Sequence, residues 1–410
     1  MKMDAAPVSN PVVTRVYRSV LAMLFLLGVF LPLLDWRFAF DRTPELTENR
    51  TLAAAPSWPT DIPGLKALPN ALESYWNDAF GFRRKLLRWN AIAQFELGIS
   101  PSSLVVIGKH PWLFYTGNDS MEQHRGLRPF SDGDLANWAE KLEQRRAWLA
   151  ARGSHFLFVV APDKQTIYPD AVPDRYGPTG RTPLDQLMDY LSVHSKVDVL
   201  DLRPPVRAAR AEGDVYNQTD SHWNDRGAYA GYVAIMNRLR VWYPAMQART
   251  PESFQRHVVG RWDGDLTLLM GSLYDVVTET GEHWLPDPQT SAQEVPAGDF
   301  HPAESIVYAE FEDPEHKSSP RAVVIHDSFL LAVDERRVPG QPYYPGQSLR
   351  PETSTFRPRE MLAEHFSHAA FSWQYSFDPT IIEHEHPDVV IEEHAERFIR
   401  SGPEGEVPAN

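Results

Sequence analysis

A serine, a histidine and an aspartate brought together on loops are the parts of a nucleophilic acyl-transfer site. Two short stretches of this chain supply them. Asp220-Ser221-His222-Trp223-Asn224 sets a carboxylate beside an imidazole in a polar segment that opens a helix. Val323-Val324-Ile325-His326-Asp327-Ser328-Phe329 sets a serine at the end of an apolar run that reads as a buried strand. Asp220 lies close enough in sequence to hydrogen-bond His222 and fix its tautomer. A serine at a strand-to-helix turn also exposes backbone N–H groups that can stabilise an oxyanion. Blander roles exist for the same residues: Ser328 as a helix cap, and Asp220 with His222 as a capped polar turn. Neighbours in an extended strand point to opposite faces. Asp327 therefore reads as a turn residue and His326 as packing against the site wall.

Other clusters draw attention and recede. Glu383-His384-Glu385-His386, with Glu392, Glu393 and His394, has ligand types suited to zinc if His384 and His386 share a strand face. The segment is strongly acidic and leads into the strand Asp388-Val389-Val390-Ile391, so a solvated edge is the preferred reading and no metal is assigned. His365-x-x-His368 is a weaker pattern. There is no Gly-rich phosphate loop. Absence of cysteine excludes disulfides, thiolate chemistry and Cys-type zinc sites. No cofactor is expected.

The elements that must position these residues follow from periodicity. The chain has 410 residues, enough for one large α/β domain with additions or for two domains. Its net charge of −15 argues against nucleic acid as a partner, because phosphate binding needs basic patches. Ser19 to Leu34 carries no charge and follows Arg15 and Arg18. It reads as a membrane helix with its N-terminus in the cytoplasm by the positive-inside rule. No Ala-x-Ala cleavage site follows, so an uncleaved signal-anchor is preferred to a cleaved signal. Residues 36 to about 70 are proline-rich and read as an extended arm, and Leu68 to Leu97 has helical spacing. From residue 131 helices and strands alternate. A helix capped at Ser131, Asp132 or Asp134 precedes the apolar run Phe156–Pro162. A helix over 184–191, a strand over 197–202 and a helix from about Arg226 to Tyr243 come next. Short strands at 322–325 and 389–391 close the series, and 281–320 and 336–358 read as loop-rich insertions. Such alternation implies a mainly parallel sheet covered by helices.

These residues, in this order, resemble the periplasmic polysaccharide O-acetyltransferases typified by the alginate acetylation proteins AlgJ and AlgX, within the SGNH-hydrolase superfamily. The resemblance rests on Glu48-Asn49-Arg50, Asp78-Ala79-Phe80-Gly81-Phe82-Arg83, and Val106-Ile107-Gly108-Lys109 leading into Trp112-Leu113-Phe114. It continues through Ala161-Pro162-Asp163-Lys164, Asp220–Asn224, Gly264-Asp265-Leu266, Asp327-Ser328-Phe329 and Pro387-Asp388-Val389-Val390 with Glu393 and Arg397. It implies Asp220 and His222 as the carboxylate–imidazole pair and Ser328 as the nucleophile. It also implies Lys164 and Trp223 as residues lining the cleft. One departure is His326, where the family usually has glycine. The resemblance further implies an exported polysaccharide as acceptor and a membrane-bound O-acyltransferase as acetyl donor. It places the catalytic domain in the periplasm, held to the inner membrane by the N-terminal helix. The expected organisation is a cytoplasmic tail and anchor (1–36), an arm and cap region (37–125), an SGNH-like α/β catalytic domain (126–400) and a disordered tail (401–410). A carbohydrate acetylesterase with the same triad, and a catalytically degenerate scaffold that binds glycan or partner proteins, are the competing functions.

Overall fold

The apolar run Phe156–Ala161 has room for neither a polar face nor a helix, and it forms a strand buried on both sides. The computed structural model describes residues 11–41, 52–110, 112–271, 273, 276–331 and 356–408. Contacts divide the chain into two units, Met1–Pro101 with Gly271–Leu273, and Ser102–Met270 with Tyr274–Asn410.

The first unit is helical. Helix α1 (Pro11–Phe38) holds the uncharged run Ser19–Leu34, and its stretch Arg15–Phe38 is long and apolar enough to cross a membrane, with mean hydropathy 2.1. Helices α2 (Ile62–Ala79) and α3 (Arg83–Glu96) follow. The arm expected up to about residue 70 is thus shorter, because Asp61 caps α2 by accepting from Gly64 N and Pro63 suits the first turn. The helical pattern of 68–97 breaks between α2 and α3. There Gly81 lies so close to Pro32 O that a Cβ would sit 2.2 Å from it. Glu48-Asn49-Arg50 lies outside the described residues.

The second unit begins with a small antiparallel pair, β1 (Val105–Ile107) and β2 (Leu113–Tyr115), and the short helix α4 (Ser120–His124). Helix α5 (Asp132–Ala150) starts in a capping box between Ser131 and Asp134. It leads to β3 (His155–Ala161), the one-turn α6 (Lys164–Ile167), α7 (Pro183–His194) and β4 (Asp198–Asp201). Next come α8 (Arg203–Ala209) and α9 (Asp225–Leu239). An antiparallel pair, β5 (Phe254–Trp262) with β6 (Glu279–Pro286), brackets α10 (Asp265–Leu269). The chain then adds β7 (Gln293–Val295), β8 (Val307–Glu312), β9 (Arg321–His326), α11 (Pro358–Ala363), β10 (His368–Trp373), α12 (Pro379–Glu385) and β11 (Val389–Ala395).

Seven of these strands make one sheet in the order β4-β3-β11-β9-β10-β8-β7. The five from β4 to β10 run parallel, and β8 and β7 extend them antiparallel. Side chains alternate between two cores. Leu157, Val159, Val324, Phe371 and Ile391 face α8, α9 and α11, whereas Phe156, Phe158, Val160, Val323, Ile325 and Val390 face α5, α7 and α12. The fold is therefore an α/β arrangement, a mixed sheet flanked by helices, as the SGNH-like resemblance implies. Three further expectations change. The 281–320 region contains most of β6 and all of β7 and β8 rather than loop. Residues 383–385 end a helix begun by Asp378, whose carboxylate accepts from Thr380 N, and by Pro379; they are not a strand. Within the tail expected to be disordered, Glu404 is held: its O accepts from Phe377 N and from Arg145 Nη2.

Candidate active site

In a parallel sheet every strand delivers its carboxyl end to the same edge. In register, Ile325 of β9 lies beside Glu392 of β11 and Ser372 of β10, and Ala395 of β11 beside Ala161 of β3. The loops after β3, β9 and β11 consequently bring Asp163, Lys164, Asp327, Ser328, Glu396 and Arg397 to one end.

Ser328 opens a single turn of 3-10 helix directly after β9. Asp327 caps that turn. Its Oδ1 accepts from Phe329 N at 2.8 Å and its Oδ2 from Ala395 N at 2.6 Å, which ties the serine turn to the end of β11. Phe329 N is thereby engaged and is not a donor for negative charge developing on a substrate. Asp327 is wholly buried, and its own N–H donates to Glu393 Oε2 at 3.1 Å. Burial and the Asp327 carboxylate push Glu393 well above the usual carboxylate range. His326 is buried with Nδ1 2.6 Å from Asp327 O, so that nitrogen donates. Burial lowers its pKa to about 3, and the ring is neutral. It packs edge-on against Phe371 within the core.

The histidine arrives on the loop before α9, which Asn224 caps by accepting from Gly227 N. His222 Nε2 stands 2.8 Å from Ser328 Oγ, and His222 Nδ1 stands 2.9 Å from Asp220 Oδ1. Asp220 Oδ1 also accepts from His222 N at 2.8 Å, so the carboxylate grips both ring and backbone. The structure thus brings Asp220, His222 and Ser328 into one hydrogen-bonded line. Asp220 and His222 are buried and Ser328 is half-buried, which leaves the serine as the open member. With Nδ1 protonated toward Asp220, Nε2 is the acceptor for the serine hydroxyl.

The loop that carries His222 is fixed from several sides. Gln218 N and Thr219 N donate to the two Glu279 oxygens, each at 2.7 Å. Gly264 packs so tightly on Asp220 that a Cβ would sit 2.4 Å from Asp220 N, so only glycine fits. Asp265 Oδ1 accepts from Ser221 N at 2.7 Å, and its Oδ2 accepts from Ser221 Oγ at 2.5 Å and lies 3.7 Å from His222 Nδ1. A second carboxylate therefore flanks the imidazole. Asp265 appears in the sequence only as part of Gly264-Asp265-Leu266. Glu279 carries no local signal at all, because its partners lie about 60 residues earlier.

The two residues expected to line the cleft are placed differently. Lys164 is buried, and its ammonium donates to Asn217 O at 2.9 Å and Gln218 O at 3.0 Å. Burial lowers its pKa to about 8 against the pull of Glu279 and Asp220. Its contacts make it a brace for the loop that carries Asp220. Trp223 is likewise buried, and its Nε1 donates to Phe329 O at 2.9 Å. That bond joins the residue after His222 to the residue after Ser328. Behind the serine, Arg397 Nε pairs with Asp163 Oδ1 at 2.9 Å, and its guanidinium lies over Phe329 at 5.0 Å. Burial and Asp163 push the Glu396 carboxyl up to about 7.

Known proteins are similar to parts of this chain. Residues 105–304 match the family described as SGNH hydrolase-like domain, acetyltransferase AlgX. That stretch carries Asp220 and His222 and stops before Ser328. The probable alginate O-acetylase AlgJ of Pseudomonas syringae pv. tomato is 26% identical over 202 residues, 49% of this chain and 50% of the relative. The probable alginate O-acetylase AlgJ of Pseudomonas aeruginosa is 27% identical over 163 residues, 39% of each. The chain spans about half the length of the curated relatives it matches. Among solved structures, the O-acetyltransferase domain of Pseudomonas putida AlgJ aligns with TM-score 0.42 at 16% identity, over 73% of this chain and 94% of that one. The resemblance to the AlgJ/AlgX-like family is borne out.

Proposed function

We propose that this chain is an O-acetyltransferase that moves an acetyl group to hydroxyls of an exported polysaccharide through an acyl-serine. The observation that carries this reading is His222 held between Asp220 at 2.9 Å and Ser328 at 2.8 Å. His222 Nε2 takes the Ser328 proton as Oγ attacks the carbonyl of the acetyl donor. The imidazolium that forms is stabilised by Asp220 and gives its proton to the departing group. The same nitrogen then takes the proton of a sugar hydroxyl, whose oxygen attacks the acyl-serine. The ester passes to the sugar, and Ser328 Oγ regains its proton from His222. Each proton has a place to go, and the triad ends as it began. Asp265, beside Nδ1, adds a second negative charge that favours the imidazolium.

The matched relatives, named as probable alginate O-acetylases, support polysaccharide acetylation as the reaction class. Helix α1 suits an inner-membrane anchor with the catalytic unit in the periplasm. Free acetyl-CoA is not available there, so the donor would be a membrane-bound O-acyltransferase.

The test is intact-mass analysis after incubation with a chromogenic acetyl ester, with and without oligosaccharide. An acetyl adduct that needs Ser328 and passes to sugar is the expected result. Release to water alone, with sugar present, would make the chain an esterase. No adduct and no turnover would leave a scaffold.

A further inference from the structure

The end of the sheet where β9 and β10 begin, away from Ser328, gathers a second group of imidazoles and carboxylates. Glu310 comes from β8, His384 and Glu385 come from the last turn of α12, and His368 opens β10. One ligand atom from each of Glu310, His384 and Glu385 lies within 4.8 Å of the others. Only 9% of Glu310 is exposed, and its buried Oε1 has no hydrogen-bond partner. A carboxylate oxygen taken out of water without a donor is costly, and a second carboxylate beside it adds repulsion. A cation between the two would relieve both.

The surroundings hold the ligands in place. The His384 ring lies flat on Phe300, with centroids 3.9 Å apart and planes 8° apart, and its Nε2 is 3.8 Å from Glu385 Oε1. Glu385 is oriented by three groups. Its Oε1 accepts from Tyr308 OH at 2.8 Å, and its Oε2 faces His368 Nε2 at 2.7 Å and Arg321 Nη2 at 3.0 Å. Hydrogen-bond donors that steady a ligating carboxylate are a usual outer shell of a metal site. The His384 side chain is 47% exposed, which leaves an entry path and room for water as a further ligand.

We propose that Glu310, His384 and Glu385 bind one divalent first-row cation of zinc type, with His368 orienting Glu385. One imidazole with two carboxylates is a borderline donor set that suits zinc better than calcium or magnesium. The ion would clasp the antiparallel extension, through β8, to the helix that leads into β11. Its role is structural.

The full chain, stripped with EDTA and dialysed, is titrated with zinc chloride. Bound metal and melting temperature are read for wild type, Glu310→Gln, His384→Ala and His222→Ala. The last variant is needed because Asp220, His222 and Asp265 also cluster within ligand distance. The expected result is one tightly held zinc and a raised melting temperature in wild type and His222→Ala. Zinc affinity in Glu310→Gln and His384→Ala falls at least about tenfold. His384 is half-exposed, so that variant reads the site even if Glu310→Gln folds poorly. No retained zinc in wild type overturns the proposal. So does zinc that survives His384→Ala and is lost with His222→Ala.

Discussion

The two ends of strand β9 collect the same residue types and put them to different use. At its carboxyl end, His222 meets one carboxylate on one nitrogen and a hydroxyl on the other. At its amino end, His368, His384, Glu310, Glu385 and Arg321 surround one another, and the hydroxyl present is the Tyr308 phenol, whose pKa burial and Glu385 raise. The first arrangement gives a proton a path from an acidic group through a base. The second sets Glu310 and Glu385 beside its imidazoles and, among the described residues, pairs no serine with either ring. Residue identity is common to both ends; the partner on the second ring nitrogen separates a reactive constellation from a structural one.

Substitutions can break this contrast. Ser328→Ala is expected to lower acetyl transfer about 10⁴- to 10⁶-fold with an unchanged melting temperature, because Oγ bonds to His222 and carries no structural load. Transfer at wild-type rate would remove the serine from the chemistry. Asp220→Asn is expected to cost about 10⁴-fold by favouring the wrong imidazole tautomer, as steady-state rates on a chromogenic ester will show. Lys164→Met sharpens the contrast between brace and lining residue. Loss of the donor to Asn217 O and Gln218 O should lower stability by about 1–3 kcal/mol in denaturant unfolding. A raised KM at unchanged stability would instead make Lys164 a substrate contact.

A pH dependence separates the ends further. The Glu396 carboxyl has its pKa raised to about 7 by burial and Asp163, so the folded chain holds a proton that the unfolded chain releases near 4.5. Stability from this group is full below about pH 4.5 and falls as pH rises to about 7. Glu396→Gln should flatten that slope, on the order of 1–3 kcal/mol, in unfolding midpoints compared across the window. At the amino end, Tyr308→Phe removes one bond to Glu385 and should cost about 1 kcal/mol. Transfer should change less than twofold, since the phenol is remote from Ser328.

Much of the triad was legible because its signals are local. An Asp-x-His before a capped helix, and a serine after the apolar run Val323–Ile325, can each be read within a few residues. The parallel core was legible for the same reason, since Phe156–Ala161 and Val389–Ile391 are too apolar for an edge. What escaped depends on distant partners. Strand β10, His368–Trp373, mixes His, Ala and Ser, and only its place between β9 and β8 makes it a strand. The resemblance implied Lys164 as a cleft residue, and nothing nearby in sequence reveals the carbonyls of 217 and 218 that it meets. The helix at 379–385 was in principle readable from Asp378-Pro379, an N-cap followed by a first-turn proline. The tail after Ser401 was not, because Arg145, some 260 residues earlier, holds it.

The strand order β4-β3-β11-β9-β10-β8-β7 also sets a timetable. Both neighbours of β9 in the sheet, β10 and β11, are synthesised after it. While the chain is being made, the strand before Ser328 has no finished ladder on either side, and His222 waits for a serine 106 residues downstream. Closing such long loops is slow, and it comes at the end of folding rather than the start. Under the proposed function, a nascent chain is inert toward acyl donors until β10 and β11 flank β9.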